Sequence, residues 1–412
     1  MSLLFHSDFK MVSIDQHIIG EIDRFIDEGL LTKSHFPPGA ILSNDIAGPW
    51  VDTAKFQLHP GMDEAAKEFT RTLVEYGLIF VGNTNGNEDD AIQPLNALDL
   101  SQNPKALSVG EGGNVIFHKR NGSLERVVLN PTEELDAVHK LPSMFNRDNN
   151  ALMYFILNNT QSKDGDAPIR TPFHTKIGLT FPDKYSTLAD RLSAEGIDIC
   201  TFIPDFDAEK YKPNCINQLL NFGRTTLETA VSQNSELRGK IGKASFNTSN
   251  RRIYFGPAHA FLPAEFEYDA EKDLYLPSRK AAIPNNDLLT PNKGNGVYLA
   301  AQYMRSHVDN GFPPYDIGYS IHIADKATET TREGDRMLSS TERAAIKDDA
   351  TGKHARLLIH VTMSPGQKPT IGTVEGVTEL CVGSGLEALG IIKHVYGRLY
   401  GNAPVYSLIR AA

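Results

Sequence analysis

Glu379-Leu380-Cys381-Val382-Gly383-Ser384-Gly385, running directly into residues 386–400, is the stretch that decides the fold. A short apolar run stops on a glycine turn, and a helical pattern starts behind it. That is the strand–turn–helix unit of a layered α/β sheet. Working outward, the same alternation recurs. Strands are expected at 152–157, 177–181, 197–203, 253–255, 317–323, 357–362, 379–382 and 405–409. Helices are expected at 185–195, 216–232, 297–308, 339–347 and 386–400. Strands that alternate with helices give a sheet covered by helices. The fold class read from the sequence is therefore α/β, a mixed sheet flanked by helices, over residues 151–412.

Residues 1–150 read as a mixed α+β region of unassigned role. Apolar residues at near-helical spacing predict helices at 14–31 and 62–76, and Leu78-Ile79-Phe80-Val81-Gly82 reads as a buried strand stopped by glycine. Residues 83–150 are rich in turn residues. Arg120-Asn121-Gly122 between two apolar runs, 115–118 and 124–129, is a hairpin signal.

Composition narrows the function classes. The chain has 412 residues, 40% of them hydrophobic and 22% charged, enough for two domains or for one large α/β domain with elaborations, and too apolar for global disorder. A formal net charge of −10 argues against a nucleic-acid binder and against an electrostatic membrane anchor. The three cysteines, Cys200, Cys215 and Cys381, form no C-x-x-C pair, so neither a disulfide framework nor a cysteine-based zinc site is expected. No run of about 18 apolar residues is present and the N-terminal apolar run is too short for a secretory signal, so a cytoplasmic protein is expected. A bacterial effector delivered into a host cell would lack such a signal as well.

Two features point to a ligand. Gly294-Asn295-Gly296-Val297-Tyr298 is a glycine turn that opens a helical stripe, and Asn285-Asn286 precedes it. Glycines allow the backbone to approach a ligand closely, and a helix start offers unsatisfied N–H groups to a diphosphate. Gly383-Ser384-Gly385 repeats the arrangement and offers a second ligand loop; it is no nucleophile elbow, because Val382 and Leu386 stand where that motif needs glycine. Downstream of the first turn come Asp316, Asp325 and Asp335, at the ends of the 317–323 strand and in the loop beyond it. Carboxylates so placed can hold a guanidinium, orient a water or accept a proton, and a hard cation such as Mg²⁺ is a further ligand they can take. No P-loop, complete dinucleotide fingerprint or H-E-x-x-H motif occurs, and His360-Val361-Thr362 is only half of a two-histidine phosphoesterase motif.

The asparagine pair followed by Gly294-Asn295-Gly296-Val297 and a small-residue helix resembles a macrodomain. The spaced aspartates resemble the MavL-like, arginine-specific macrodomain hydrolases of the Legionella effector type. The turn carries Asn295 where macrodomains have glycine, and its spacer is longer. The resemblance implies a macrodomain-like fold and an ADP-ribosyl hydrolase that removes mono-ADP-ribose from protein arginine. Asp316, Asp325 and Asp335 would be catalytic. Asn285, Asn286, Gly294, Asn295, Gly296, Val297, Tyr298, Gly383, Ser384 and Gly385 would bind ADP-ribose. The partner would be ADP-ribose or an ADP-ribosylated protein, with no cofactor, metal, nucleic acid or membrane. A second resemblance competes: Gly296-Val297-Tyr298-Leu299-Ala300 with Ser306 is similar to a block of ADP-ribosyltransferases, which would make Glu379 catalytic and His259 or Arg252 an NAD contact. A non-catalytic ADP-ribose reader is the third reading.

Overall fold

The computed structural model describes residues 14–52, 57–84, 86–98, 106–111, 113–120, 123–128, most of 130–258, 265–269, 274–278, 300, 303, 320–330, 336–338, 347–348, 353–354 and 357–401. The chain forms two compact units. The first comprises Met1–Val127, Pro263–Ser278 and Asn292–Ala412; the second comprises Val128–Leu262 and Arg279–Pro291.

The first unit is built on a nine-stranded sheet. Its strands are β1 (Ile41–Asp45), β2 (Ile79–Asn83), β3 (Ala106–Gly110), β4 (Val115–Arg120), β5 (Ser123–Val128) and β6 (Ser320–Ala324). A short hairpin, β7 (Thr328–Thr330) and β8 (Arg336–Leu338), follows outside the sheet. The sheet is completed by β9 (Leu357–Val361), β10 (Thr370–Val374) and β11 (Val377–Val382). The order across it is β10-β11-β9-β6-β1-β2-β3-β4-β5. The centre, from β11 to β3, is parallel. β10 on β11 and β4 on β3 run antiparallel. A mixed α/β sheet is therefore present as expected, but five of its nine strands come from residues 41–128, outside the 151–412 region to which the sequence assigned it.

Four helices cover one face: α1 (Gln16–Asp27), α2 (Met62–Glu75), α3 (Glu88–Ala97) and α4 (Gly385–Tyr400). Ile18, Ile22, Phe69, Leu73, Leu95, Ile392 and Val395 from these helices bury against Leu42, Phe80, Ile321, Ile323, Ile359 and Leu380 of the strands, all in one core. Each fully buried Leu or Ile contributes about 1.5–3 kcal/mol, so this face supplies most of the unit's cohesion. Local signals fix the helix starts. Asp15 caps α1 by accepting from the His17 N–H. Asn87 and Asp90 form a capping box at α3, and Ser384 caps α4 by accepting from the Glu387 N–H at 3.2 Å.

The other face carries buried polar groups. His322 of β6 pairs with Ser43 of β1 at 3.1 Å, and His118 of β4 with the Tyr303 hydroxyl at 3.2 Å. Parallel strands buried on both faces are usually continuous apolar runs. Here polar residues alternate with apolar ones, and each must be hydrogen-bonded to be tolerated.

The second unit has its own four-stranded antiparallel sheet, ordered Ser245–Asn247, Arg252–Phe255, Ile177–Thr180, Ile169–Pro172. Leu152, Ile156, Leu179, Phe181, Leu188, Leu220 and Ile253 form its core.

Several local expectations are corrected. Residues 152–157 lie within the helix Arg147–Asn158, not in a strand. The buried residues there are Leu152, Met153, Ile156 and Leu157, a helical stripe that a six-residue apolar run conceals. Residues 197–203 contain the short 3₁₀ turn Ile199–Thr201 instead of a strand. Lys347, expected at a helix end, stands in the short strand Lys347–Asp348. Of the helix expected at 297–308, Ala300 and Tyr303 are described, and both are helical and buried. The strand expected at 405–409 lies outside the described residues. Among the described residues no helix is long and apolar enough to cross a membrane.

Candidate active site at the carboxyl edge of the sheet

The strand order places the site. From β1 the chain crosses by way of α2 to β2 and by way of α3 to β3, always to the same side. β6 then pairs on the opposite side of β1, and β9 and β11 continue outward from it. The order reverses between β1 and β6. In open parallel sheets, ligands bind outside the carboxyl ends of the strands at such a reversal.

Three polar side chains sit at those strand ends. Asp45 ends β1 and is buried. Thr84 directly follows β2 and is also buried; its Oγ1 accepts the Gly86 N–H at 3.0 Å. Asp325 directly follows β6 and is partly exposed.

The loop after β1 is wound tightly around this edge. The N–H groups of Trp50 and Val51 both donate to the Ile46 carbonyl, and the Ile46 N–H donates to the Asn83 carbonyl of β2. His59 holds the Gly48 carbonyl at 2.6 Å through Nε2. The hairpin Val51–Asp52 on Gln57–Leu58 follows, and Trp50 is buried edge-on against Phe80, ring centroids 5.1 Å apart. Gly48 has φ +100°, and a Cβ there would lie 2.1 Å from Oδ2 of Asp325. Only glycine lets the Asp325 carboxylate fold into the β1 loop, so the carboxylate from β6 and the loop from β1 form one surface.

The glycine turn before α4 borders the same loop. A Cβ on Gly385 would lie 1.9 Å from the Pro49 carbonyl, and one on Gly383 would lie 2.2 Å from the Ser364 carbonyl. The Glu387 carboxylate accepts the Gly383 and Gly366 N–H groups at 2.8 and 2.7 Å. Ser384 takes the Glu387 N–H of the first turn, one of the donors that a helix start otherwise offers to an anion.

Behind Asp325 lies a charged cluster on the polar face. His360 of β9 presents Nε2 to the Asp325 carbonyl at 3.1 Å and Nδ1 to Glu379 Oε1 at 3.0 Å. Cys381 Sγ is 4.0 Å from the same Nδ1. Arg336, on β8, reaches Glu379 Oε1 at 2.8 Å and the Thr328 hydroxyl at 2.9 Å. Burial by itself pushes His360 down, but the neighbouring Cys381 and Glu379 outweigh it and raise the imidazole to about 9. Glu379 is likewise pushed up by burial, yet His360 and Arg336 hold it below the ordinary carboxylate range.

Of the residues singled out from sequence, Asp325, Gly383, Ser384, Gly385 and Glu379 are placed as above. Asp325 and the turn Gly383-Ser384-Gly385 both border the loop after β1. Glu379 is buried in the cluster behind them, paired with His360 and Arg336. Arg252 lies on the second unit's Arg252–Phe255 strand. Asn285, Asn286, Gly294, Asn295, Gly296, Val297, Tyr298, Asp316, Asp335, His259 and Ser306 lie outside the described residues. Asp45 and Thr84 are absent from the sequence reading. The signal was Ile41-Leu42-Ser43-Asn44-Asp45-Ile46-Ala47-Gly48, an apolar start that turns polar before a glycine.

No protein-family model matches the sequence, and no curated protein matches it. Solved structures give partial superpositions. The C-terminal domain of the Candida albicans trehalose synthase regulatory protein is 11% identical, with 90% of this chain and 97% of that chain covered and a TM-score of 0.41. Aspergillus fumigatus trehalose-6-phosphate phosphatase is 12% identical, with 89% and 96% covered and a TM-score of 0.41. Plasmodium falciparum IMP-nucleotidase is 12% identical, with 89% and 65% covered and a TM-score of 0.38. No function is transferred at these scores.

The macrodomain expectation is corrected: at the Gly383-Ser384-Gly385 turn, Glu387 accepts the Gly383 N–H and Ser384 accepts the Glu387 N–H, so the turn is closed by its own side chains and is not an open diphosphate cradle. The Asn285 to Tyr298 motif that carried the resemblance also has no described structure beneath it. The readings built on it fall together: the ADP-ribosylarginine hydrolase, the transferase with Glu379 catalytic, the ADP-ribose reader, and ADP-ribose or an ADP-ribosylated protein as partner. Glu379 in particular is neutralised by two cationic neighbours inside the sheet's polar face.

Proposed function

We propose that the carboxyl edge of the first unit binds a phosphate ester and hydrolyses it, with Asp45 and Asp325 as its acidic pair. One observation carries the reading: the two aspartates end adjacent parallel strands, β1 and β6, on either side of the reversal in strand order. Two carboxylates at one edge of a chain with net charge −10 repel a phosphate unless a cation lies between them. An all-oxygen donor set of this kind fits a hard dication, and Asp45 and Asp325 are the residues that would hold Mg²⁺. When bound, such an ion supplies charge neutralisation for the phosphoryl oxygens.

The chain's own groups do the rest. A carboxylate has two oxygens, so Asp45 can hold a cation with one and attack phosphorus with the other in line with the ester oxygen; the P–O ester bond breaks, the alcohol leaves with a proton from water, and a second water hydrolyses the aspartyl phosphate, releasing phosphate and restoring the carboxylate. The Thr84 hydroxyl accepts from the Gly86 N–H, which leaves its proton to donate to a non-bridging phosphoryl oxygen. The Asp325 carboxylate is seated directly against Gly48, in the hydrogen-bonded turn that follows β1.

The test is hydrolysis of p-nitrophenyl phosphate and a panel of sugar and nucleoside monophosphates, with and without Mg²⁺. Turnover is expected with Mg²⁺, and Asp45→Asn and Asp325→Asn should each lower kcat/KM by about a hundredfold or more. Absence of turnover across the panel, or Asp45→Asn at the wild-type rate, rejects the proposal.

A further inference from the structure

The cluster behind Asp325 is not used by the proposed hydrolysis, and its chemistry differs from that of the strand-end carboxylates. His360 Nδ1, Glu379 Oε1 and Cys381 Sγ offer one nitrogen, one oxygen and one sulfur, all within 4.8 Å of one another. In a tetrahedral zinc site, bonds of about 2.0–2.3 Å put neighbouring donor atoms about 3.3–3.8 Å apart. The observed separations of 3.0 Å from nitrogen to oxygen and 4.0 Å from nitrogen to sulfur bracket that spacing.

The second nitrogen of the ring supplies an independent observation. His360 Nε2 faces the Asp325 carbonyl at 3.1 Å, and a carbonyl can only accept. Nε2 must therefore carry a hydrogen, and Nδ1 is the atom turned toward Glu379 and Cys381. A ring fixed by a backbone carbonyl on its far nitrogen is the arrangement that metal-ligating histidines use.

A cation already stands at the focus of these donors. The Arg336 Nη2 atom is 2.8 Å from Glu379 Oε1, 2.9 Å from Thr328 Oγ1 and 3.4 Å from His360 Nδ1. Glu379 is buried, whereas Arg336 is half exposed and sits on the short β7–β8 hairpin, so its side chain has a path to solvent.

We propose that His360, Glu379 and Cys381 form a site for a divalent transition metal of the zinc type, which the Arg336 guanidinium fills when the metal is absent. Binding displaces the guanidinium and the proton on Nδ1, takes Cys381 as thiolate, and leaves the fourth position to water. The mixed nitrogen, oxygen and sulfur set selects zinc or cobalt over magnesium, which separates this site from the strand-end carboxylates. A metal seated there also keeps the ring's other hydrogen on the Asp325 carbonyl, and so braces the loop that carries Asp325.

The experiment is titration of the chelator-treated full chain with Co²⁺, read by absorbance. A one-to-one complex with a near-ultraviolet thiolate-to-cobalt band and tetrahedral visible bands is expected, with Zn²⁺ displacing it and Mg²⁺ leaving it unchanged. Arg336→Gln should tighten binding by about tenfold, because it removes a competing cation from the site. Cys381→Ser should abolish the near-ultraviolet band. The fluorescence of Trp50, the chain's single tryptophan, reports that each variant is folded. The proposal fails if neither wild type nor folded Arg336→Gln gives the thiolate band at stoichiometric Co²⁺, or if folded Cys381→Ser retains it.

Discussion

Replacing Gly48 by alanine tests the junction on which the candidate site depends. Two separate costs arise. At φ +100° the backbone is in a region that residues with a Cβ rarely adopt, worth about 1–3 kcal/mol. The new methyl group also lands 2.1 Å from Oδ2 and 2.3 Å from Cγ of Asp325, so the carboxylate must move by about an ångström, an overpacking cost of about 1–3 kcal/mol. Together these give a loss of about 2–6 kcal/mol. The two costs separate in a double-mutant cycle. Asp325→Ala removes the two nearest atoms and leaves only Cβ, at 3.0 Å, so the steric part should appear as a favourable coupling of about 1–3 kcal/mol while the backbone part persists. The assay is urea unfolding followed through Trp50, which is buried two residues from the substitution and reports the first unit by itself. A Gly48→Ala variant within about 0.5 kcal/mol of wild type, or strictly additive substitutions, would refute the close approach of Asp325 to the β1 loop.

Three further outcomes are expected. Ser384→Ala should destabilise the first unit by about 1 kcal/mol in the same urea assay, because the Glu387 N–H loses its cap. Phe80→Ala should cost about 3–5 kcal/mol and shift Trp50 emission to the red, since it empties the site against which the indole packs; unchanged emission would contradict that packing. Burial pushes Tyr400 up to about 12, so its neutral phenol is favoured by folding. That contribution is complete below the unfolded value near 10 and is lost as pH rises toward about 12. Urea midpoints measured across that range should fall less steeply in Tyr400→Phe than in wild type.

The α/β class was legible because the apolar runs Leu357-Leu358-Ile359 of β9 and Leu380-Cys381-Val382 of β11 stand out, the latter followed by the glycine turn and the apolar stripe of α4. β1 was not legible. Ile41-Leu42 is followed by Ser43, Asn44 and Asp45, a polar run that reads as a loop. Those residues are buried, because Ser43 is hydrogen-bonded to His322, 279 positions away, and the Asn44 amide donates to the Leu42 carbonyl. Partners so remote leave no local trace. Missing the central strand hid Asp45, and without β1 and β2 side by side Thr84 carried no meaning. Asp325 was found because β6 ends in a readable apolar alternation, Ile321 and Ile323 on the helix-covered face. The glycines of the Gly383-Ser384-Gly385 turn were seen, but their close contacts with Ser364 and Pro49 are visible only in three dimensions.

The pairing of β1 with β6 also bears on how the protein is made. The sheet's first five strands lie within residues 41–128, yet β1 meets its second neighbour only at residue 320. During synthesis at about 5–20 residues per second, one full edge of the central strand stays unpaired until the intervening residues have emerged. An open strand edge of that kind is a template for pairing with other chains. The high sequence separation of this contact also makes closure of the sheet slow relative to folding of the second unit, whose strands and helices are encoded contiguously. The nascent β1 edge thus stays open to mispairing until residue 320 has emerged, and a circular permutation that brings residues 320–401 ahead of β1 should shorten that exposure.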